Sequence, residues 1–340
     1  MLTISVVIPV FDGAAFLAQC LRALNSSTIP VFECIVVDDY SSDQSAAIAE
    51  AAGAVVLRTA RKAGPAVARN HGAARASGDV LLFVDSDVCV HSETLARIYQ
   101  RFQDEPDLDA LIGSYDDEPL APGFVSQYKN LLQHYVHQKG SRQATTFWSG
   151  CGAVRREVFL ALGGFDESYG RPSIEDIDFG YRMLENGRRI ALDPDVQVKH
   201  LKKWRLSSMV RSDIFDRALP WTRLILRSSR LPNDLNLSIS QRISAAMVIA
   251  GVGLAGLCPA IDAVHPALAA PPLAVAVLIN RSFYSFLAAR RGWMFALGGI
   301  VLHMAYYLYS TLAFAAGAAA HALDRREAAE TRGKQVVNRY

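Results

Sequence analysis

The sequence predicts an α/β fold with a mainly parallel sheet, followed by a C-terminal run of apolar helices. Three observations carry this. Short apolar runs alternate with amphipathic stretches up to about residue 200, the pattern of βαβ units. One of those runs, Val80–Val84, has no helical period and ends in Asp85-Ser86-Asp87; it reads as a strand buried on both faces inside such a sheet. Past Arg242 the charges thin out and long apolar segments take over.

Taken in order, Thr3–Pro9 is a first strand stopped by its proline, and Phe16, Leu17, Cys20, Leu21 and Leu24 then share one helical face. Phe32–Val37 is a second strand ending in Asp38 and Asp39; Asp43 stands where it can cap a helix over Gln44–Ala52. Ala54–Leu57 is a third strand. Gly64-Pro65 opens a helix with proline at its first position, and Gly78 lies just past its end. After the fourth strand, Val80–Val84, Ser92 caps a helix with Leu95, Ile98, Tyr99 and Phe102 as its apolar stripe. Leu108–Ser114 is a further strand. Pro122–Gln138 is an amphipathic helix whose His134 and His137 are expected on the surface. Phe147–Gly152, F-W-S-G-C-G, is an apolar strand breaking into glycines. A helix over Glu157–Leu162, the turn Gly163–Asp166, a helix from Asp176 to Asn186 closed by Gly187, and a last short strand within Asp193–His200 complete this part.

At 340 residues the chain suits one large domain and an appendage. A net charge of +2 argues against a nucleic-acid partner. The five cysteines form no C-x-x-C, which suits a reducing compartment and offers no zinc site. The N-terminus lacks a basic leader and its apolar run is interrupted at Pro9, so it reads as a strand and not as a signal peptide.

The chemistry collects at strand ends, where open α/β sheets bind their ligands. Asp85 and Asp87 are two apart and so can point the same way; adjacent carboxylates repel unless a divalent cation carrying phosphates neutralises them. An Asp-rich turn is the plain alternative, as a turn and helix cap is for Asp38-Asp39. The wider pattern adds S-V-V-I-P-V-F, V-V-D-D-Y-S-S-D, G-P-A-V-A-R-N-H-G, F-V-D-S-D, W-S-G-C-G, G-G-F-D-E and E-D-I-D-F-G-Y-R between Leu2 and His200.

In that order these stretches resemble the family 2 glycosyltransferases, enzymes of the GT-A fold. Asp12 stands where the family often has Asn, and Tyr40 where a glycine usually follows the paired aspartates. The resemblance implies that Pro9, Val10, Asp12, Asp38, Asp39, Arg69, Asp85 and Ser86 bind the nucleotide sugar, Asp39 accepting the N3–H of a uracil and Arg69 holding a carbonyl or phosphate. It implies a Mg²⁺ or Mn²⁺ site at Asp85 and Asp87, completed by His200, with a surface histidine as the equal alternative for the last. Trp148, Gly150, Cys151, Gly152 and Glu175 fall on the acceptor side, and Asp176 matches the catalytic base, while Asp178 faces away. The implied reaction is inverting transfer from a nucleoside diphosphate sugar, a UDP-sugar first, to a hydroxyl on a membrane lipid or lipid-linked glycan. A polyprenyl phosphate acceptor and an inactive membrane scaffold are the alternatives. A haloacid-dehalogenase-like phosphatase, suggested by L-L-F-V-D-S-D-V, lacks the later paired-aspartate strand it needs.

The expected division is a catalytic domain over residues 1–203, amphipathic interfacial helices over 204–241 broken at Pro220, membrane-spanning helices over 242–323 and a polar tail over 324–340. The apolar segments are Ile243–Ile261, Ala267–Ile279 extending toward Ala289, and Phe295–Leu323, the second weakened by Pro271-Pro272 and Arg281. Arg227, Arg230 and Arg242 before the first segment, and Arg281, Arg290 and Arg291 before the third, put those loops and the catalytic domain in the cytoplasm. Three spans would then export the basic tail, against the same rule.

Overall fold

The computed structural model describes residues 2–228, 231–257 and 265–337, with side chains to residue 324. It divides into two compact units, Met1–Arg205 and Leu206–Tyr340.

The first unit is an α/β domain. Its strands are β1 (Ile4–Val10), β2 (Glu33–Asp38), β3 (Val55–Arg58), β4 (Val80–Val84), β5 (Val88–Val90), β6 (Ala110–Tyr115), β7 (Cys151–Arg155) and β8 (Ile190–His200). Its helices are α1 (Ala14–Asn25), α2 (Ser45–Ala51), α3 (Pro65–Arg75), α4 (Thr94–Asp104), α5 (Phe124–Lys139), α6 (Arg156–Ala161) and α7 (Glu175–Glu185). They build one sheet in the order β3-β2-β1-β4-β7-β6-β8-β5. β1 pairs in parallel with β2 and β4, and β2 with β3, so Val10, Asp38 and Asp85 emerge at one edge. β7 runs antiparallel between β4 and β6. β4 is buried throughout, as its unbroken apolar sequence requires.

Several local expectations change. Phe147–Gly150 is not a strand; β7 starts at Cys151, because Gly152 lies so close to the Trp148 carbonyl and the Phe147 ring that the chain must fold back there. His134 and His137 are buried, not on the surface, and each gives its Nδ1–H to a β6 carbonyl, Tyr115 at 2.7 Å and Gly113 at 3.0 Å. They face β6, whose irregular pairing with β8 leaves a register shift between Ile112 and Ser114. Ser92 does not cap α4; Glu93 precedes that helix, and the Ser92 carbonyl instead accepts from Thr28. Asp43 lies one residue before the cap position of α2, yet it accepts from Ser45 N–H at 2.9 Å and Ala14 N–H at 2.9 Å, tying the starts of α2 and α1 together.

The second unit is helical. Pro220 does not break it: α8 (Leu206–Arg211) passes through a π-helical stretch, Ser212–Ala218, into α9 (Leu219–Ser228). The wider turn bonds Leu219 N–H to the Ile214 carbonyl and accommodates a proline whose ring would collide with a regular α-turn. Then come α10 (Ile239–Leu257), α11 (Ala270–Ile279), α12 (Arg281–Arg291) and α13 (Trp293–Val337). α10 and α13 are long and apolar enough to cross a membrane, whereas the second apolar segment is a helix pair bent by 65° at Asn280. Asn280 Nδ2 donates to Ser244 Oγ and to the Ala276 carbonyl, each at 2.9 Å, while Tyr307 Oη donates to Gln241 Oε1 at 2.6 Å. Residues 258–261 of the first expected span, the loop up to residue 264, and Arg230 lie outside the described residues.

Candidate active site

β4 stops at Val84 and the next three residues turn, Val88 N–H closing on the Asp85 carbonyl at 3.0 Å. Arg69, on the second turn of α3, gives Nη2–H to Asp85 Oδ1 at 2.7 Å and Nη1–H to Glu175 Oε1 at 2.9 Å. A guanidinium therefore joins the end of β4 to the first residue of α7. It is buried, and its Nε has no partner among the described residues. Burial pushes Asp85 and Glu175 above the usual carboxylate range, and Arg69 opposes that shift in both.

Asp87 turns to different partners. β5 pairs antiparallel with β8, setting Val88 opposite His200, so Asp87 Oδ2 comes within 3.8 Å of His200 Nε2. Burial opposes its ionisation, but His200 and Lys202 outweigh this and hold Asp87 below the ordinary carboxylate range. The His200 ring stacks on Tyr115, centroids 4.4 Å apart. β5 has only three residues, too short to announce itself in sequence, so the neighbourhood of Asp87 and His200 was not derivable from spacing. Among the described residues, no group of three or more His, Cys, Asp or Glu side chains is placed to hold a metal ion. A cation that arrives on a diphosphate needs only one or two protein ligands, and a carboxylate with an imidazole suits Mn²⁺ better than Mg²⁺. Asp87 and His200 fit that requirement, with Asp85 alongside.

The second strand end is a closed knot. Asp38 accepts from Ser41 N–H at 2.9 Å and pairs with Arg58 Nε at 3.2 Å. Asp39 Oδ1 accepts from Thr59 Oγ1 at 3.0 Å and Ala63 N–H at 2.9 Å, and Oδ2 from Gly64 N–H at 2.8 Å. Three of about four acceptor positions on that carboxylate are used, leaving one on Oδ2 for a ligand donor. Asp39 N–H donates to the Val10 carbonyl at 2.8 Å, next to Pro9 at the end of β1. Asp12 Oδ1 accepts from Ser42 N–H at 2.8 Å, lacing the first strand-end loop to the second. Asp12 and Tyr40 both have positive φ, +48° and +69°. Asn or Asp tolerates that conformation and tyrosine does so only at a cost, which explains why glycine suits the second position. Ser86 packs on Gly13, where an added Cβ would lie 3.2 Å from its Oγ.

Asp176 lies in the first turn of α7, next to Glu175. Its Oδ2 accepts both the N–H and the Oγ–H of Ser149, each at 3.0 Å. Trp148 is half-buried, edge-on to Tyr115 at 4.8 Å, and covers Gly150, where a Cβ would lie 2.6 Å from its ring. Cys151 is buried in β7 and its thiol is pushed up to about 12 by burial, which leaves it inert as a nucleophile. Asp178 supports the fold: it holds Arg182 Nε at 2.9 Å, and Arg182 donates to the Leu162 and Gly164 carbonyls of the preceding turn. Ser149, Thr59 and Arg58 hold site carboxylates that sequence reasoning did not connect to them, since no fixed spacing links them to Asp176, Asp39 or Asp38.

Residues 5–163 match the family model described as glycosyl transferase family 2. The chain carries a glycosyl transferase family 2 domain. Over 194 residues it is 27% identical to an uncharacterized glycosyltransferase of Haemophilus influenzae, covering 54% of this chain and 62% of that one. Across the curated relatives compared, it spans between 18% and 64% of their length. A mannosyltransferase from Pyrobaculum calidifontis, solved with GDP-Man and Mn²⁺, superimposes with a TM-score of 0.60 at 18% identity, over 91% of this chain and 86% of that one. S. aureus TarS with UDP gives 0.51 at 18% identity, over 91% and 90%. At such identities the likeness is one of fold, and it agrees with a GT-A-like α/β domain followed by helices.

Proposed function

We propose that this chain is a divalent-metal-dependent, inverting glycosyltransferase that moves a sugar from a nucleoside diphosphate sugar, a UDP-sugar first, to a hydroxyl on a membrane lipid or lipid-linked glycan. One observation carries the reading: Asp176, a carboxylate at a helix start, is tied to the Asp85–Asp87 strand end through Glu175 and Arg69.

In this reading Asp39 takes the N3–H of the base with its remaining lone pair, so a base without that donor would leave a buried acceptor unpaired. Asp87 and His200, beside Asp85, would hold Mg²⁺ or Mn²⁺. Such a cation supplies charge neutralisation for the diphosphate leaving group. Asp176 removes the acceptor hydroxyl's proton as that oxygen bonds to the anomeric carbon and the bond to the diphosphate oxygen breaks. A single displacement with one base inverts the anomeric centre. Trp148 and Gly150 line the acceptor side. The nucleotide and Mn²⁺ complexes of the structural neighbours support the donor and metal classes.

A membrane acceptor draws support from the helical unit. α10 and α13 have the length and apolarity of spans. On the helix from α8 to α9, Arg211, Phe215, Arg223, Leu226 and Arg227 are exposed while Met209, Asp213, Thr222 and Ile225 are buried. A cationic face with protruding apolar side chains suits a membrane interface. The arginines before α10 and α13 favour a cytoplasmic catalytic domain.

Asp87→Ala in membranes should abolish sugar release from the donor and metal-dependent nucleoside diphosphate binding, and His200→Ala should raise the Mn²⁺ concentration for half activity. Full activity in EDTA would overturn the metal reading. Phosphate release from simple monoesters in place of sugar transfer would overturn the reaction class.

A further inference from the structure

We propose that Ser149 is the positioning residue of the catalytic base: its backbone N–H and hydroxyl anchor Asp176 Oδ2, so that Oδ1 is the oxygen that receives the acceptor's proton. This rests on the reading of Asp176 as base and adds to it the atom and its holder. Ser149 is buried, and both its donors reach Oδ2 at 3.0 Å. A carboxylate oxygen has two lone pairs, so Oδ2 has no capacity left. Oδ1 accepts one bond, from Ile177 N–H at 2.8 Å, and keeps one lone pair. The two oxygens of one carboxylate are thus unequal, one fixed and one available.

The surroundings hold this arrangement in place. Gly180, one turn along α7, lies so close to Thr146 and Phe147 that an added Cβ would strike their backbone. That close approach presses the Phe147–Gly150 segment against the start of α7 and puts Ser149 beside Asp176. Glu175 is not placed to act as the base: it is buried, and its carboxylate is held in an ion pair with the buried Arg69 through Oε1 while Oε2 takes Ser173 N–H at 2.9 Å. The step balances simply: the acceptor O–H bond breaks, its proton goes to Asp176 Oδ1, its electron pair forms the C–O bond, and the diphosphate leaves with the pair from the broken bond.

The test is a kinetic cycle on the full chain in membranes, using Ser149→Ala, Ser149→Thr, Asp176→Asn and the double variant. Ser149→Ala should lower kcat for transfer by roughly tenfold, the order expected for one lost hydrogen bond to a charged group, with donor KM and UDP binding unchanged. Ser149→Thr, which keeps the hydroxyl, should restore most of the rate. In the Asp176→Asn background, Ser149→Ala should have no further effect, since the two act as a unit. A loss of equal size in both backgrounds, or no rescue by threonine with UDP binding intact, would overturn the proposal. Near-full transfer by Asp176→Asn would instead overturn the base assignment on which it stands.

Discussion

The active site and the bend of the helical unit bury polar groups in different ways. At the active site Arg69 and Glu175 are buried and Asp85 partly so, and the three form a carboxylate–guanidinium–carboxylate chain with one cation for two anions. In the helical unit the polar residues around the helix bend are neutral: Gln241, Ser244, Asn280 and Tyr307 bond to one another. The difference follows from what each must do. A charged cluster beside water can receive a charged ligand, and its imbalance is what an incoming cation offsets. A bend in an apolar helix pair frees backbone and side-chain groups, and neutral partners satisfy them without the cost of burying an ion. The first arrangement is built to be completed by a ligand, and the second is already complete.

That contrast can be broken at its charged end first. Arg69→Met removes the cation that pairs with both Asp85 and Glu175. Leaving the buried Glu175 and the partly buried Asp85 without it should cost about 3 kcal/mol, seen as a large fall in the catalytic domain's melting temperature. Because burial already raises both groups, they should take up protons in the variant, and its stability should recover in part as pH falls. An unchanged melting temperature would mean that the chain of ions is incidental.

The neutral end should give a smaller effect. Asn280→Ala takes away the acceptor of the Gln241 amide and one donor to Ser244 Oγ, which still donates to the Ser240 carbonyl; it should cost about 1–3 kcal/mol, measured by thermal unfolding in detergent, with the pH dependence of stability unaltered. A pH-dependent loss there would contradict the neutral description. The smallest effect belongs to Tyr40. Replacing it by glycine relieves a positive φ of 69° and should stabilise the domain by about 1 kcal/mol, a rise of a few degrees in Tm. A destabilised Tyr40→Gly would show that the ring makes contacts worth more than the strain.

The fold was legible where pattern and environment agree. β4 is uniformly apolar because it is buried on both faces, and its span Val80–Val84 was readable to the residue. α1 displays its buried Leu17, Cys20, Leu21 and Leu24 at helical spacing. What escaped depends on contacts distant in sequence. His134 and His137 look like surface residues until β6 supplies carbonyls for them. The F-W-S-G-C-G run has strand composition, but tight packing around Gly150 and Gly152 makes it a turn and strand start. Pro220 signals a break, yet a π-turn absorbs it. At the site, the carboxylates and Arg69 were visible in the sequence, and which side chain holds which carboxylate was not. A hydrogen bond from Ser149 to Asp176, or an ion pair from Arg69 to Glu175 across more than a hundred residues, exists only once the chain has folded.

The central claim is that Asp176 removes the acceptor's proton while the donor is held elsewhere. The most direct measurement compares nucleoside diphosphate affinity, by calorimetry on the purified chain, with transfer turnover for Asp176→Asn. Asparagine keeps the shape and cannot take the proton, so turnover should fall by at least about a hundredfold while affinity stays at the unsubstituted level. Near-full transfer by Asp176→Asn, or efficient transfer to a polyprenyl phosphate alone, would contradict the account.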